Sequence, residues 1–133
     1  MTGVYEVLFS TLSGGNTLQG LLGGTEEDRK IYPITDTSRV ALPAVRMAVL
    51  AGESQMGFGI NKPEVEITIA SSIGASQLGT ISNAVDSLVN RARLGGNGIV
   101  IHLMKKIKES DEFDQETQEY RRCIRYIIIV TQE

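Results

Sequence analysis

Residues 63–94 read PEVEITIASSIGASQLGTISNAVDSLVNRARL, and within them the spacing of apolar positions changes from every second residue to every third or fourth. Val65, Ile67 and Ile69 alternate with Glu64, Glu66 and Thr68, which predicts a strand over Glu64–Ser71 with one buried and one wet face. Pro63 stands at its first position, where the loss of a backbone donor is tolerated. From Ala75 to Leu94 the pattern becomes helical. Leu78, Ile81, Val85, Leu88, Val89 and Ala92 share one stripe, while Ser76, Ser82, Asn83, Asp86, Asn90 and Arg93 cover the other side. Gly95-Gly96-Asn97-Gly98 predicts a firm stop after Leu94.

Toward the C-terminus, Ile99–Ile107 reads as a further strand, with Ile99, Ile101 and Leu103 on one side and Val100, His102 and Met104 on the other. An acidic loop, Glu109–Thr117, leads to the last strand, Tyr120–Val130. Its run Ile127-Ile128-Ile129-Val130 predicts a strand covered on both faces. Toward the N-terminus, Pro43 opens a strand over Ala44–Leu50, and Ala51–Lys62, with Gly52, Gly57 and Gly59, reads as a long loop or hairpin tip. Thr2–Leu12 has helical spacing, Leu18–Leu22 forms a second short turn, and Ile31-Tyr32-Pro33 is a short extended piece. The order helix, strand, strand, helix, strand, strand predicts one α+β domain over residues 1–133. Its sheet is antiparallel or mixed, of about four strands, with the long helix and a short N-terminal helix packed on one face.

Composition narrows the function. The chain has 133 residues, 41% of them hydrophobic and 22% charged, which fits a folded domain and argues against disorder. The net charge of −3 lacks the basic excess with which dedicated nucleic-acid binders release counterions from phosphates. Cys123 is the one cysteine, so no internal disulfide forms. No run approaches the roughly 20 apolar residues that span a bilayer. Met1 to Leu12 carries Glu6 and has no basic start, so it does not read as a signal peptide and points to synthesis in the cytoplasm.

No catalytic motif stands out. His102 lies in an apolar strand with no orienting acid or nucleophile nearby in sequence. Cys123 sits beside Arg122 and near Arg125, cations that lower a thiol's pKa, but it reads as a packed thiol. Glu109, Asp111, Glu112, Asp114 and Glu116 lack the order and the glycine of an EF-hand, and read as a solvated loop. The neighbouring Lys105, Lys106, Lys108, Arg121, Arg122 and Arg125 balance that loop across a hairpin. Gly57-Phe58-Gly59 and Gly95-Gly96-Asn97-Gly98 match no phosphate-binding loop. These readings predict a protein that is not an enzyme and uses no cofactor or metal. Met56, Phe58 and Ile60, at every second position of the Gly-rich segment, read either as an arm docking on a neighbouring copy or as a hairpin folding back on its own sheet.

The order of these pieces resembles a known family. A short N-terminal helix ends near Leu21-Leu22-Gly23, and Ile31-Tyr32-Pro33 and the Pro-led Leu42-Pro43-Ala44-Val45 follow. Then come a glycine-containing arm, the strand Val65-Glu66-Ile67-Thr68-Ile69, the helix through Ile81–Leu94, the acidic loop and Tyr120–Val130. This arrangement is similar to that of the tail-completion, or tail-terminator, proteins of long-tailed bacteriophages, with the polar insertion Thr25–Lys30 as a departure. The resemblance implies a homo-oligomeric ring, usually a hexamer, that caps the tail tube and joins it to the head connector. DNA passes through its lumen as cargo, and no membrane is involved. Such a subunit resides in the host cytoplasm during assembly and then in the virion tail. The density of carboxylates in the loop bearing Glu109, Asp111, Glu112, Asp114 and Glu116 self-repels and predicts a poorly ordered tip facing water or a channel, which in a ring is the lumen, with docking on a partner protein as the alternative. Another connector or minor tail component is the alternative within that class. A small ligand-binding or nucleic-acid-adaptor domain is the alternative outside it.

Overall fold

The computed structural model describes residues 2–34, 41–55, 60–96 and 98–132. The alternation at residues 64–69 does produce a strand, and the switch to helical spacing is made at Ser71. That side chain, fully buried, accepts hydrogen bonds from the N–H groups of Ile73 and Gly74 at 3.1 and 3.4 Å and also meets Gln77 Oε1. It thereby turns the chain off the strand and into the helix. The helices are α1 (Thr2–Ser13), α2 (Asn16–Leu22) and α3 (Ala75–Val89). The strands are β1 (Ile31–Pro33), β2 (Ala44–Gln55), β3 (Ile60–Ser71), β4 (Leu94–Gly96), β5 (Ile99–Asp114) and β6 (Glu119–Gln132).

These form a six-stranded sheet in the order β1-β2-β3-β6-β5-β4. Only β1 and β2 run parallel, so the sheet is mixed, and its strand count exceeds the four expected. The two additions are three-residue edge strands too short to show a period. Helix α3 ends at Val89, not Leu94. Asn90 Oδ1 accepts the Lys106 N–H at 3.2 Å, and Arg91, at φ 61°, donates its own N–H to Met104 O at 2.6 Å. The chain is thus drawn onto the edge of β5, and Leu94–Gly96 becomes β4.

One face of the sheet carries the core. Val45 and Met47 of β2, Val65, Ile67 and Ile69 of β3, Ile124, Tyr126, Ile128 and Val130 of β6, and Ile99, Ile101 and Met104 of β5 are buried there. The helices complete it with Val4, Leu8, Leu12, Leu18, Leu22, Leu78, Ile81, Val85 and Val89. Met104 faces inward and Leu103 outward, the reverse of simple alternation, because a register shift between Ile101 and Leu103 inserts His102 as an extra residue. The expectation that β6 is covered on both faces is also corrected. Ile128 and Val130 are in the core, whereas Ile127 and Ile129 are half-buried on the open face. Their cross-strand neighbours there are Glu64, Lys105 and Leu103.

Tyr126 joins the layers. Its ring is fully buried, and its hydroxyl donates to Asp86 Oδ1 of α3 at 3.0 Å. Burial and the neighbouring carboxylate push its pKa far up, so it stays a donor at any ordinary pH. Tyr126→Phe keeps the ring but leaves Asp86 short of a partner. The variant is expected to lose about 1–2 kcal/mol of stability in urea unfolding, and an unchanged midpoint would show that the link contributes nothing.

Candidate assembly surfaces

The hairpin of β5 and β6 brings the sequence-predicted acidic residues together, four of them on a strand and Glu116 in the turn. Glu109, Asp111, Glu112 and Asp114 all lie in β5, opposite Ile124, Arg122, Arg121 and Glu119 respectively. The loop over Glu109–Thr117 is therefore corrected to a turn over residues 115–118. Cations stand directly across the ladder from Asp111 and Glu112 and also reach Glu109 and Asp114. Arg122 donates Nε and Nη2 to the two oxygens of Asp111 at 2.8 and 3.0 Å, lies 3.3 Å from Glu109, and reaches Ser82 Oγ of α3 with Nη1 at 3.3 Å. Arg121, on the opposite face, lies 2.9 Å from Glu119, 3.2 Å from Asp114 and 3.7 Å from Glu112. The Arg122 hydrogen bonds hold the Asp111 carboxyl below its usual range, against a smaller opposing effect of burial. The N–H groups of Glu116 and Thr117 do the same for Asp114, whose Oδ1 caps the turn at 2.9 and 3.4 Å. Five carboxylates thus share Arg121, Arg122 and Lys106, so the hairpin end keeps an acidic excess. Phe113 and Tyr120 close it, with ring centroids 4.7 Å apart.

Two stretches of sheet edge have no strand beside them among the described residues. On one side β1 covers only Val45–Met47 of β2, leaving the strand beyond Ala48 open. On the other, β4 covers Ile99–Ile101 of β5, and Asn90 and Arg91 cover Lys106 and Met104, leaving Ile107 to Asp114. Open edges offer unpaired donors and acceptors to a neighbouring chain, and charges along them restrict which chain is accepted.

The segment between β2 and β3 is partly a hairpin. Both strands run further than expected, with Glu53, Ser54 and Gln55 opposite Lys62, Asn61 and Ile60. Of the three candidate interface residues, Ile60 is the first of β3, and Met56 and Phe58 lie outside the described residues.

His102 and Cys123 are not brought together. His102 Nε2 lies 2.8 Å from Thr131 Oγ1, eight positions along β6 from Cys123, a separation of about 27 Å. The Cys123 thiol donates to Glu66 Oε1 at 2.7 Å, and burial followed by that carboxylate pushes its pKa up to about 11. Arg125, which proximity in sequence suggested as an activator, is engaged by Glu64 and Glu66, each at 3.6 Å. The thiol is protonated at neutral pH, and a weak nucleophile. Among the described residues no three His, Cys, Asp or Glu side chains converge as metal ligands. No helix there is long and apolar enough to cross a membrane.

Lys105 and Lys108, expected to balance the acidic residues across the hairpin, make no ion pair among the described residues, and sequence reasoning missed that Arg91 and Arg93 lead into β4 beside their strand, all four being exposed. The available signal was the end of the apolar stripe at Val89 followed at once by Asn90-Arg91-Ala92-Arg93.

No protein-family model matches the chain. No curated protein sequence matches it either. Its fold is similar to that of a chain in a solved structure described as the virion of a native gene transfer agent (GTA) particle, with a TM-score of 0.72 at 14% identity over 94% of this chain and 92% of that one.

Proposed function

We propose that the chain is a structural protein of a phage-like particle, and within it a tail terminator: copies close into a ring, with a hexamer as the expected size, that caps the tail tube and meets the head connector. The observation that carries this reading is the fold shared along nearly the whole of both chains with a component of a gene transfer agent virion. An accessory domain on an unrelated protein would not account for a match that leaves so little of either chain over. The open edges of β2 and β5 supply what a closed assembly needs, because each copy then offers surfaces for two neighbours. The acidic excess on the β5–β6 hairpin suits a conduit wall that repels the DNA backbone and lets it slide. Host cytoplasm during assembly and the tail of the finished particle are the corresponding locations.

The test is removal of the gene from a producing cell. Electron micrographs are expected to show filled heads and separate tails that do not join, with joining restored when the chain is supplied again. Whole, infectious or DNA-delivering particles without the chain would refute the reading.

The same proposal holds that no covalent chemistry is involved. His102→Gln and Cys123→Ser are expected to support particle assembly at parental levels, and loss of assembly by either folded variant would contradict this. At pH 8 a thiol reagent should label folded Cys123 at least about tenfold more slowly than the unfolded chain, since little thiolate is present.

A further inference from the structure

Resting on the ring reading, we propose that successive copies meet head to tail through opposite charges: the acidic turn leading into β1 of one copy sits against the basic edge made by Arg91, Arg93, Lys105 and Lys108 of the next. The two surfaces are counterparts in the fold. Residues 23–30 carry the chain from α2 to the outermost strand β1, and residues 90–93 carry it from α3 to the outermost strand β4 at the other side of the sheet.

The basic edge has charge to spare. Arg91, Arg93, Lys105 and Lys108 are exposed and make no ion pair among the described residues, whereas Lys106 is taken by Glu109 at 3.4 Å. The Arg91 backbone is pinned to Met104, so the charges project from a fixed segment. At the other edge, Glu26 and Glu27 are exposed and likewise without an ion pair among the described residues. Asp28 is occupied, accepting from the Lys30 N–H at 2.9 Å and the Tyr32 hydroxyl at 2.8 Å. Arg29 shares the turn but is half-buried, and the buried Lys30 turns its ammonium to Ala41 O. The turn is also rigid. Thr25 and Asp28 are doubly bonded to each other at 2.7 and 3.1 Å, and Gln19 Nε2 donates to Arg29 O at 3.0 Å.

The unlike charges of the two corners favour a head-to-tail contact, which sets acid on base and closes a ring when the rotation allows. The two corners lie diagonally across the sheet. The β1 row passes through Val45, Ile69, Arg122 and Asp111, and the β4 row through Ile101, Val130 and Asn61. These rows are eight residues apart along β6, about 27 Å, across a sheet about 24–29 Å wide.

The experiment uses two full-length variants, Arg91→Glu/Arg93→Glu and Glu26→Lys/Glu27→Lys, with self-association followed by light scattering at low salt. Each variant alone should need roughly tenfold more protein to assemble than the parent. An equimolar mixture should return to parental behaviour, because the all-acidic and all-basic copies can alternate around the ring. Parental assembly by either variant alone, or a mixture as weak as its components, would overturn the inference while leaving the ring intact. A parent chain that stays monomeric at high concentration would instead remove the ring reading and this contact with it.

Discussion

Everything in this fold is arranged around β6, which runs between β3 and β5 with backbone partners on both sides. A strand in that position can make its backbone bonds and still choose what to place on each face. Ile124, Tyr126, Ile128 and Val130 are given to the helices, and Cys123, Arg125, Ile127 and Ile129 to the open face. The Tyr126 hydroxyl then ties the strand to Asp86 of α3, so that the helix layer has one registered position over the sheet. Burying a phenol hydroxyl without a partner is costly, and this one bond therefore restricts how the two layers can slide.

The arrangement has consequences at the periphery. With all three helices concentrated on one face, the sheet ends in two short strands, β1 and β4, that shield only part of β2 and β5. The open stretch of β5 carries Lys108, Glu109, Asp111, Glu112 and Asp114 beside the exposed Ile107 and Phe113, and charges along an edge restrict which strands can pair with it. The hairpin formed by β5 and β6 continues beyond the core and is held by Arg121 and Arg122 together with the Phe113–Tyr120 ring contact. The fold thus has its packed core on one face and its open edges at the margins.

The sequence was most legible where burial imposes a period. The strand at Glu64–Ser71 and the start of α3 follow from alternation and from the Leu78-Ile81-Val85 stripe, because one side of each is buried. The end of α3 was not legible. Asn90 and Arg91 leave the helix because β5, distant in sequence, offers them hydrogen-bonding partners. The acidic run Glu109–Asp114 read as a loop because a strand solvated on both faces shows no alternation, and its compensating arginines belong to the following strand. The bulge at His102 reversed Leu103 and Met104 for a similar reason, since register is set by the partner strand. For the assembly surface, the charged residues were visible in the sequence, but their distribution to opposite edges required the strand order.

The central claim is that these edges build a closed ring with an opening through it. Negative-stain imaging of the purified chain, at a concentration where light scattering shows a multimer, tests this most directly. The account predicts uniform annular particles with a stain-filled centre and rotational symmetry. Solid two-fold dimers, or open filaments with no closed form, would contradict it.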